Sequence, residues 1–171
     1  MAIILGIDPG SRITGFGIIE TGISSHKYIT SGAIRTTPTA YPLKQIFSEL
    51  VELIRLYKPT EAAIEQVFVH LNINSALKLG QARGAAIVAL SQDDLKITEY
   101  SARQIKQAVV GYGNAEKPQV QHMVKLLLKI KTTIQVDEAD ALAIALCHAN
   151  SANSKLKLLY NQRRHCEERT K

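Results

Sequence analysis

Residues 2–10 read Ala2-Ile3-Ile4-Leu5-Gly6-Ile7-Asp8-Pro9-Gly10. A short apolar run closed by Pro and Gly reads as a buried strand followed by a turn. Its last residue before the turn is a carboxylate, where an uncompensated charge is expensive. Outward from this stretch, Thr14–Thr21 and Lys27–Arg35 read as two further strands, so the chain is predicted to open with an antiparallel meander. Gly15 and Gly17 in the second strand leave room for another backbone or a phosphate to approach closely.

The period then changes. Leu43, Ile46, Phe47, Leu50, Leu53, Ile54 and Tyr57 recur at helical spacing, predicting an amphipathic helix over Pro42–Tyr57 that Lys58-Pro59 stops. Glu61–Val67 reads as a buried strand, 68–74 as a loop, and Ser75–Leu90 as a helix rich in small residues. Lys96–Tyr100 is predicted as a strand. Ala102–Val109 and Glu116–Leu128 are predicted as helices around the loop Gly111-Tyr112-Gly113-Asn114, and Val136–Ala149 as a last, largely apolar helix. Strands that alternate with helices predict an α/β domain over residues 1–150, with a mixed central sheet and helices on both faces. Residues 151–171 turn polar and basic and are expected to form a flexible tail.

The 171 residues suit one compact domain, and a hydrophobic fraction of 46% argues against a disordered chain. No apolar run approaches the roughly 18–20 residues of a membrane span, and the start lacks the basic flank of a signal peptide. A cytoplasmic protein without membrane association is expected. Cys147 and Cys166 make neither a disulfide framework nor a zinc motif, and the five histidines show no ligand spacing. The net charge is +6. Residues 1–100 balance nine basic against nine acidic side chains, so residues 101–171 carry the entire excess. A basic half suits a polyanionic partner, although a solvated basic surface has the same composition.

Four acids stand where acids are costly. Asp8 ends the first strand, Glu65 lies in the apolar strand Ala62-Ala63-Ile64, and Asp137 and Asp140 open the last helix. Singly, each has a plain structural reading: a turn residue, a wet strand end, a helix N-cap, and a partner for the helix dipole. Together they point elsewhere. Asp137 and Asp140 are three apart and share a helical face, while Glu138 between them should point away. Asp8 and Glu65 end strands, and sites in α/β sheets form at the carboxyl ends of strands. Four hard oxygen donors would suit Mg²⁺ or Mn²⁺ rather than zinc, and such ions support phosphodiester chemistry.

Gly6-Ile7-Asp8-Pro9-Gly10-Ser11 with Thr14-Gly15, Ala63-Ile64-Glu65-Gln66-Val67-Phe68, and Ser75-Ala76-Leu77-Lys78-Leu79-Gly80-Gln81-Ala82-Arg83-Gly84 resemble the RuvC family of Holliday junction endonucleases. So do Lys106-Gln107-Ala108-Val109-Val110-Gly111, Ala115-Glu116-Lys117 and Asp137-Glu138-Ala139-Asp140-Ala141-Leu142-Ala143, in the family's order. The resemblance implies an RNase H-like fold and a homodimer with two active sites. It implies Mg²⁺ on Asp8, Glu65, Asp137 and Asp140, one or two ions per subunit, with Mn²⁺ as a substitute. It further implies paired symmetric nicks leaving 5′-phosphate and 3′-hydroxyl ends, beside the RuvA and RuvB branch-migration proteins.

Supporting residues follow from the same resemblance. Phe68 would stack on an unpaired base at the crossover, against the alternative of a core side chain over the sheet edge. Lys106 and Lys117 would bind the scissile phosphate or stabilise developing charge, against the alternative of solvated helix lysines. Arg12, Lys78, Arg83 and Arg103 are further candidates for phosphate contacts. Gly80 and Gly84 share a helical face that suits either a dimer contact or tight packing on the chain's own sheet. Two rival readings are an RNase H-like nuclease with another substrate, such as ribosomal RNA, and a junction-binding module without catalysis. Four acids facing a polyanion argue against the second, because they would repel DNA unless metal intervened.

Overall fold

Five strands form one sheet in the order β3-β2-β1-β4-β5, where β1 is Ile3–Asp8, β2 Ile13–Thr21, β3 His26–Arg35, β4 Glu61–Glu65 and β5 Lys96–Tyr100. The computed structural model describes residues 1–22, 25–37, 41–67, 73–93 and 95–151. β1, β2 and β3 pair antiparallel as the predicted meander, whereas β1–β4 and β4–β5 pair parallel. The sheet is therefore mixed, as expected for an RNase H-like domain. The strand predicted over Glu61–Val67 stops at Glu65, because its partner β5 ends at Tyr100, whose carbonyl accepts a last bond from the Gln66 N–H at 2.8 Å.

Pleating sends alternate residues of each strand to opposite faces. Leu5, Ile7, Ile18, Ala62 and Ile64 pack beneath α1 (Pro42–Tyr57) and α2 (Ile73–Leu90). Ile4, Ile19, Ala63 and Tyr100 face α3 (Ala102–Val110), α4 (Lys117–Leu127) and a final helix, α5, over residues 136–151. Helices thus cover both faces. Among the described residues, no helix is long and apolar enough to cross a membrane.

Local chemistry sets the helix ends. Pro42 opens α1, and Lys58 closes it in the left-handed region with its N–H on the Ile54 carbonyl at 2.8 Å. Ser101 and Gln104 form a capping box at α3, which ends at Gly111 with φ 99°. The Glu116 N–H donates to Gln119 Oε1 at 2.9 Å at the start of α4. These caps fix where Lys106 and Lys117 begin their reach.

α5 packs very closely on the sheet. A Cβ added to Gly6 would collide with the Ala141 carbonyl oxygen and lie 2.7 Å from the Ala145 nitrogen. One added to Gly15 would collide with the Asp137 carbonyl, and one on Gly17 would lie 2.8 Å from the Leu142 nitrogen. Gly6 pairs with Gly17, and Asp8 with Gly15, across the β1–β2 ladder. The glycines therefore form a bare strip along which α5 lies directly on strand backbone. This is the close backbone approach anticipated for Gly15 and Gly17. Farther along, His148 Nδ1 meets Tyr100 Oη at 2.9 Å and His148 Nε2 meets Glu61 Oε2 at 2.7 Å, tying α5 to β5 and β4. Cys147 is buried on the same helix, and burial pushes its thiol up to about 11, the state of an unreactive core cysteine.

By contrast, a Cβ at Gly80 or Gly84 would meet nothing within 4 Å, so neither glycine packs on the chain's own sheet. A paired substitution separates the two kinds of glycine. Gly6→Ala must displace backbone, at about 1–3 kcal/mol or more, and is expected to lower the melting temperature by about 2–4 °C per kcal/mol. Gly80→Ala is expected to leave it unchanged or raise it slightly. Thermal denaturation followed by circular dichroism checks both, and equal melting temperatures for Gly6→Ala and the parent protein would refute the packing argument.

Candidate active site

Asp8 and Gly6 share the α5-facing side of β1, and Glu65 and Ala63 share that side of β4. Ile7 pairs with Ile64 in the parallel ladder, so Asp8 and Glu65 leave adjacent strands side by side at their carboxyl ends. Because α5 lies on the glycine strip, its first turns reach the same edge. Asp8, Glu65 and Asp140, together with Lys106 of α3 and Lys117 of α4, line one pocket of about 230 Å³. Its remaining wall is apolar, from Ala102, Ile105, Val120, Ala143 and Ile144.

Burial and mutual repulsion dominate the electrostatics. Burial pushes Asp8 up to about 7, and the charges of Glu65, Asp140 and Asp137 push in the same direction while Lys117 opposes them. Glu65 is also raised, first by burial and then by Asp140, against Lys117 and Lys106. Lys117 Nζ binds Asp140 Oδ2 at 3.3 Å, and that carboxylate raises the lysine's own pKa. Asp8 itself has no ion pair among the described residues. The site therefore gathers more negative charge than its two lysines neutralise.

Asp137 stands apart from the other acids. It does not line the pocket, although its charge reaches Asp8. It is not the helix N-cap either, because α5 begins at residue 136 and the Gln135 carbonyl takes the Ala139 N–H at 3.0 Å. Glu138 points away, as expected, and accepts a bond from Ser31 Oγ of β3 at 2.8 Å. Among the described residues, no three Asp, Glu, His or Cys side chains converge as a ready metal cage. The donor chemistry nevertheless fits a hard divalent cation. All the candidate donors are carboxylates, and the most buried, Asp8, lacks a paired cation.

The other sequence candidates fall in different places. Arg83 is bonded to Glu99 at 2.6 Å, which neutralises the charge a phosphate contact would use. Arg103 is exposed on α3 and folds over Gly113. Arg12 and Lys78 line a second pocket, away from the acids. Phe68 lies outside the described residues, as does the tail beyond residue 151. Sequence reasoning did not assign Gly6 its part in seating α5. The signal was a glycine within an apolar strand, two residues before the acid.

The family model for crossover junction endodeoxyribonuclease RuvC matches residues 4–148. A crossover junction endodeoxyribonuclease RuvC from Shewanella woodyi is 58% identical over 160 residues, covering 92% of each chain. One from Legionella pneumophila subsp. pneumophila is 56% identical over 162 residues, covering 93% of each. Among solved structures, T. thermophilus RuvC in complex with Holliday junction substrate superimposes with a TM-score of 0.85 at 31% identity, over 91% of this chain and 97% of that one. Fold, strand-end acids and sequence agree, and the chain belongs to the RuvC family of crossover junction endodeoxyribonucleases.

Proposed function

We propose that the protein cuts four-way DNA junctions as a homodimer in the cytoplasm, by Mg²⁺- or Mn²⁺-dependent phosphodiester hydrolysis, placing two symmetric nicks with 5′-phosphate and 3′-hydroxyl ends. The observation that carries this reading is the meeting of Asp8, Glu65 and Asp140 with Lys106 and Lys117 in one pocket at the carboxyl ends of parallel strands. Family membership and the junction-bound T. thermophilus relative support the substrate.

In this reading Asp8, Glu65 and Asp140, with Asp137 from the preceding helical turn, hold one or two cations. The bound cation supplies positive charge at the scissile phosphate, where both the attacking and the leaving oxygens need it. Lys106 and Lys117 line the same pocket and neutralise charge that develops on the phosphate. The apolar wall of Ile105, Val120 and Ile144 limits water in the pocket and strengthens each of these interactions. Arg12, Lys78 and Arg103 contact backbone phosphates, and Phe68 stacks on a base at the crossover. Residues 1–150 form the nuclease domain, which works beside the RuvA and RuvB branch-migration proteins. The dimer face is the outer side of α2, where Gly80 and Gly84 are open and Ile73, Leu77 and Val88 are 76%, 60% and 53% exposed.

The primary test is incubation with a synthetic four-way junction and with linear duplex of the same sequence. Paired nicks on the junction, lost in EDTA and reduced at least ~10³-fold (about 4 kcal/mol) by Asp8→Asn, are expected. Junction binding without metal-dependent nicking over several junction sequences would leave a binding module instead.

The pH dependence of stability follows from the raised pKa of Asp8. An acid near 7 in the folded chain and near 3.8 when unfolded binds its proton more tightly in the fold. In EDTA its contribution to stability falls as pH rises from about 4 to about 7 and is level above that. Asp8→Asn is expected to remove this fall and to raise the melting temperature at pH 8. Mg²⁺ should stabilise the parent protein and not the variant. A variant that melts below the parent at pH 8 in EDTA would contradict the burial argument.

Gly84→Glu adds a charge where an added Cβ meets nothing. It should leave the fold intact and halve the mass measured by analytical ultracentrifugation. A dimeric Gly84→Glu protein would move the interface elsewhere.

A further inference from the structure

A cleft on the α1–α2 side of the sheet belongs to no part of the carboxylate site. It encloses about 790 Å³ between the β1–β2 turn, the end of β3, and the first turns of α1 and α2. Arg12, Lys44 and Lys78 line it, and no lining residue is acidic. None of the three cations forms an ion pair among the described residues. This contrasts with Arg83, whose charge is already engaged by Glu99 at 2.6 Å.

The frame of the cleft is well held. The Thr36 N–H and Oγ1 both donate to the Arg12 carbonyl, at 3.0 and 3.1 Å, which pins the β1–β2 turn to the end of β3. Gln45 of α1 accepts the Thr37 N–H at 3.3 Å and donates to the Arg35 carbonyl at 3.0 Å, which fastens α1 to the same point. Tyr41 stands at the rim with 70% of its surface exposed, next to Pro42 and Leu43. A cleft framed by these hydrogen bonds, with three cations unpaired among the described residues and an exposed aromatic ring, has the chemistry of a nucleotide-strand site. Cations take the backbone phosphates, and the ring stacks on a base.

Arg12 follows Asp8 by four residues, across the Pro9-Gly10 turn. A strand leaving the carboxylate pocket over that turn arrives at the cleft. We infer that the Arg12–Lys44–Lys78 cleft is a second nucleic-acid site, which holds a backbone phosphate and the adjoining base of a DNA strand on the opposite side of the sheet from the acids. This rests on the reading that the protein acts on DNA and adds to it a defined path for the strand. Lys44, which the sequence did not single out, becomes a phosphate ligand, and Tyr41 becomes a stacking platform.

The test uses Lys44→Ala, Lys44→Glu and Tyr41→Ser, all at exposed positions. Lys96→Ala and Lys96→Glu at the opposite end of β5 serve as controls with the same change of charge. Junction affinity is measured by fluorescence anisotropy at several salt concentrations. Lys44→Ala should reduce the slope of log K against log salt by about 0.9, the value for one lost phosphate contact. Lys44→Glu should weaken binding at least ~10-fold more than Lys96→Glu, and Tyr41→Ser should weaken it at unchanged salt slope, as loss of stacking requires. Junction DNA should also protect the Lys44 amine, but not the Lys96 amine, from acylation. If Lys44 and Lys96 variants behave alike while the parent binds and nicks junctions, this site is wrong and the proposed function stands. If the parent neither binds nor nicks, both fall. Protection of Lys44 by a millimolar mononucleotide but not by DNA would make the cleft a small-molecule pocket and overturn the strand path.

Discussion

The structure depends on the contact between the backbone of α5 and the backbone of β1 and β2. At Gly6, Gly15 and Gly17 there is no side chain to hold the helix off, and the carbonyls of Asp137 and Ala141 lie where a Cβ would stand. A helix seated on larger residues would ride higher on the sheet. Asp140 would then no longer share a pocket with Asp8 and Glu65. Apolar packing around the strip, from Leu142, Ala145 and Leu146 of α5, holds the helix down. The Glu61–His148–Tyr100 bonds anchor its other end.

That seating has an electrostatic consequence. Bringing α5 down forces its carboxylates towards two strand-end acids in a partly buried pocket, and the fold supplies only Lys106 and Lys117 against them. Burial, with the unbalanced charges of Glu65, Asp140 and Asp137 behind it, holds the Asp8 carboxyl near 7. The same arrangement would give a divalent cation its affinity in the proposed reading, because each buried negative charge that stays unpaired in the fold adds to the attraction. Packing and the concentration of acidic charge are thus two results of one contact.

Much of this was legible from the residues. The alternation of apolar runs and helical periods located every described strand and α-helix, with ends shifted by up to two residues, as at Glu65 where the pairing partner ran out, but missed the short 3-10 turn Ser91–Asp93. Asp8 and Glu65 stood out because each ends or interrupts an apolar strand, and Asp137 and Asp140 because they share one face of the helix they open. Asp137 and Arg83 were harder to read. Spacing puts Asp137 and Asp140 on one helical face, yet only Asp140 lines the pocket. Arg83 looks like any other basic residue of its helix until Glu99, sixteen positions later in the chain, is found beside it. Gly80 and Gly84 were ambiguous for the same reason, since a small residue on a helix states what can approach and not what does.

The sequence by itself determined the order and type of the elements, the strand ends that carry acids, and the glycines that permit close approach. These follow from side-chain periodicity and backbone propensity, which act over a few residues. Only the tertiary structure decided that α5 is the element that uses the glycine strip, that two lysines from separate helices face the acids, and that Arg12, Lys44 and Lys78 surround one cleft. Those are relations between residues far apart in the chain. They are set by which apolar faces bury against each other and by charges acting through space, and neither is a function of sequence separation.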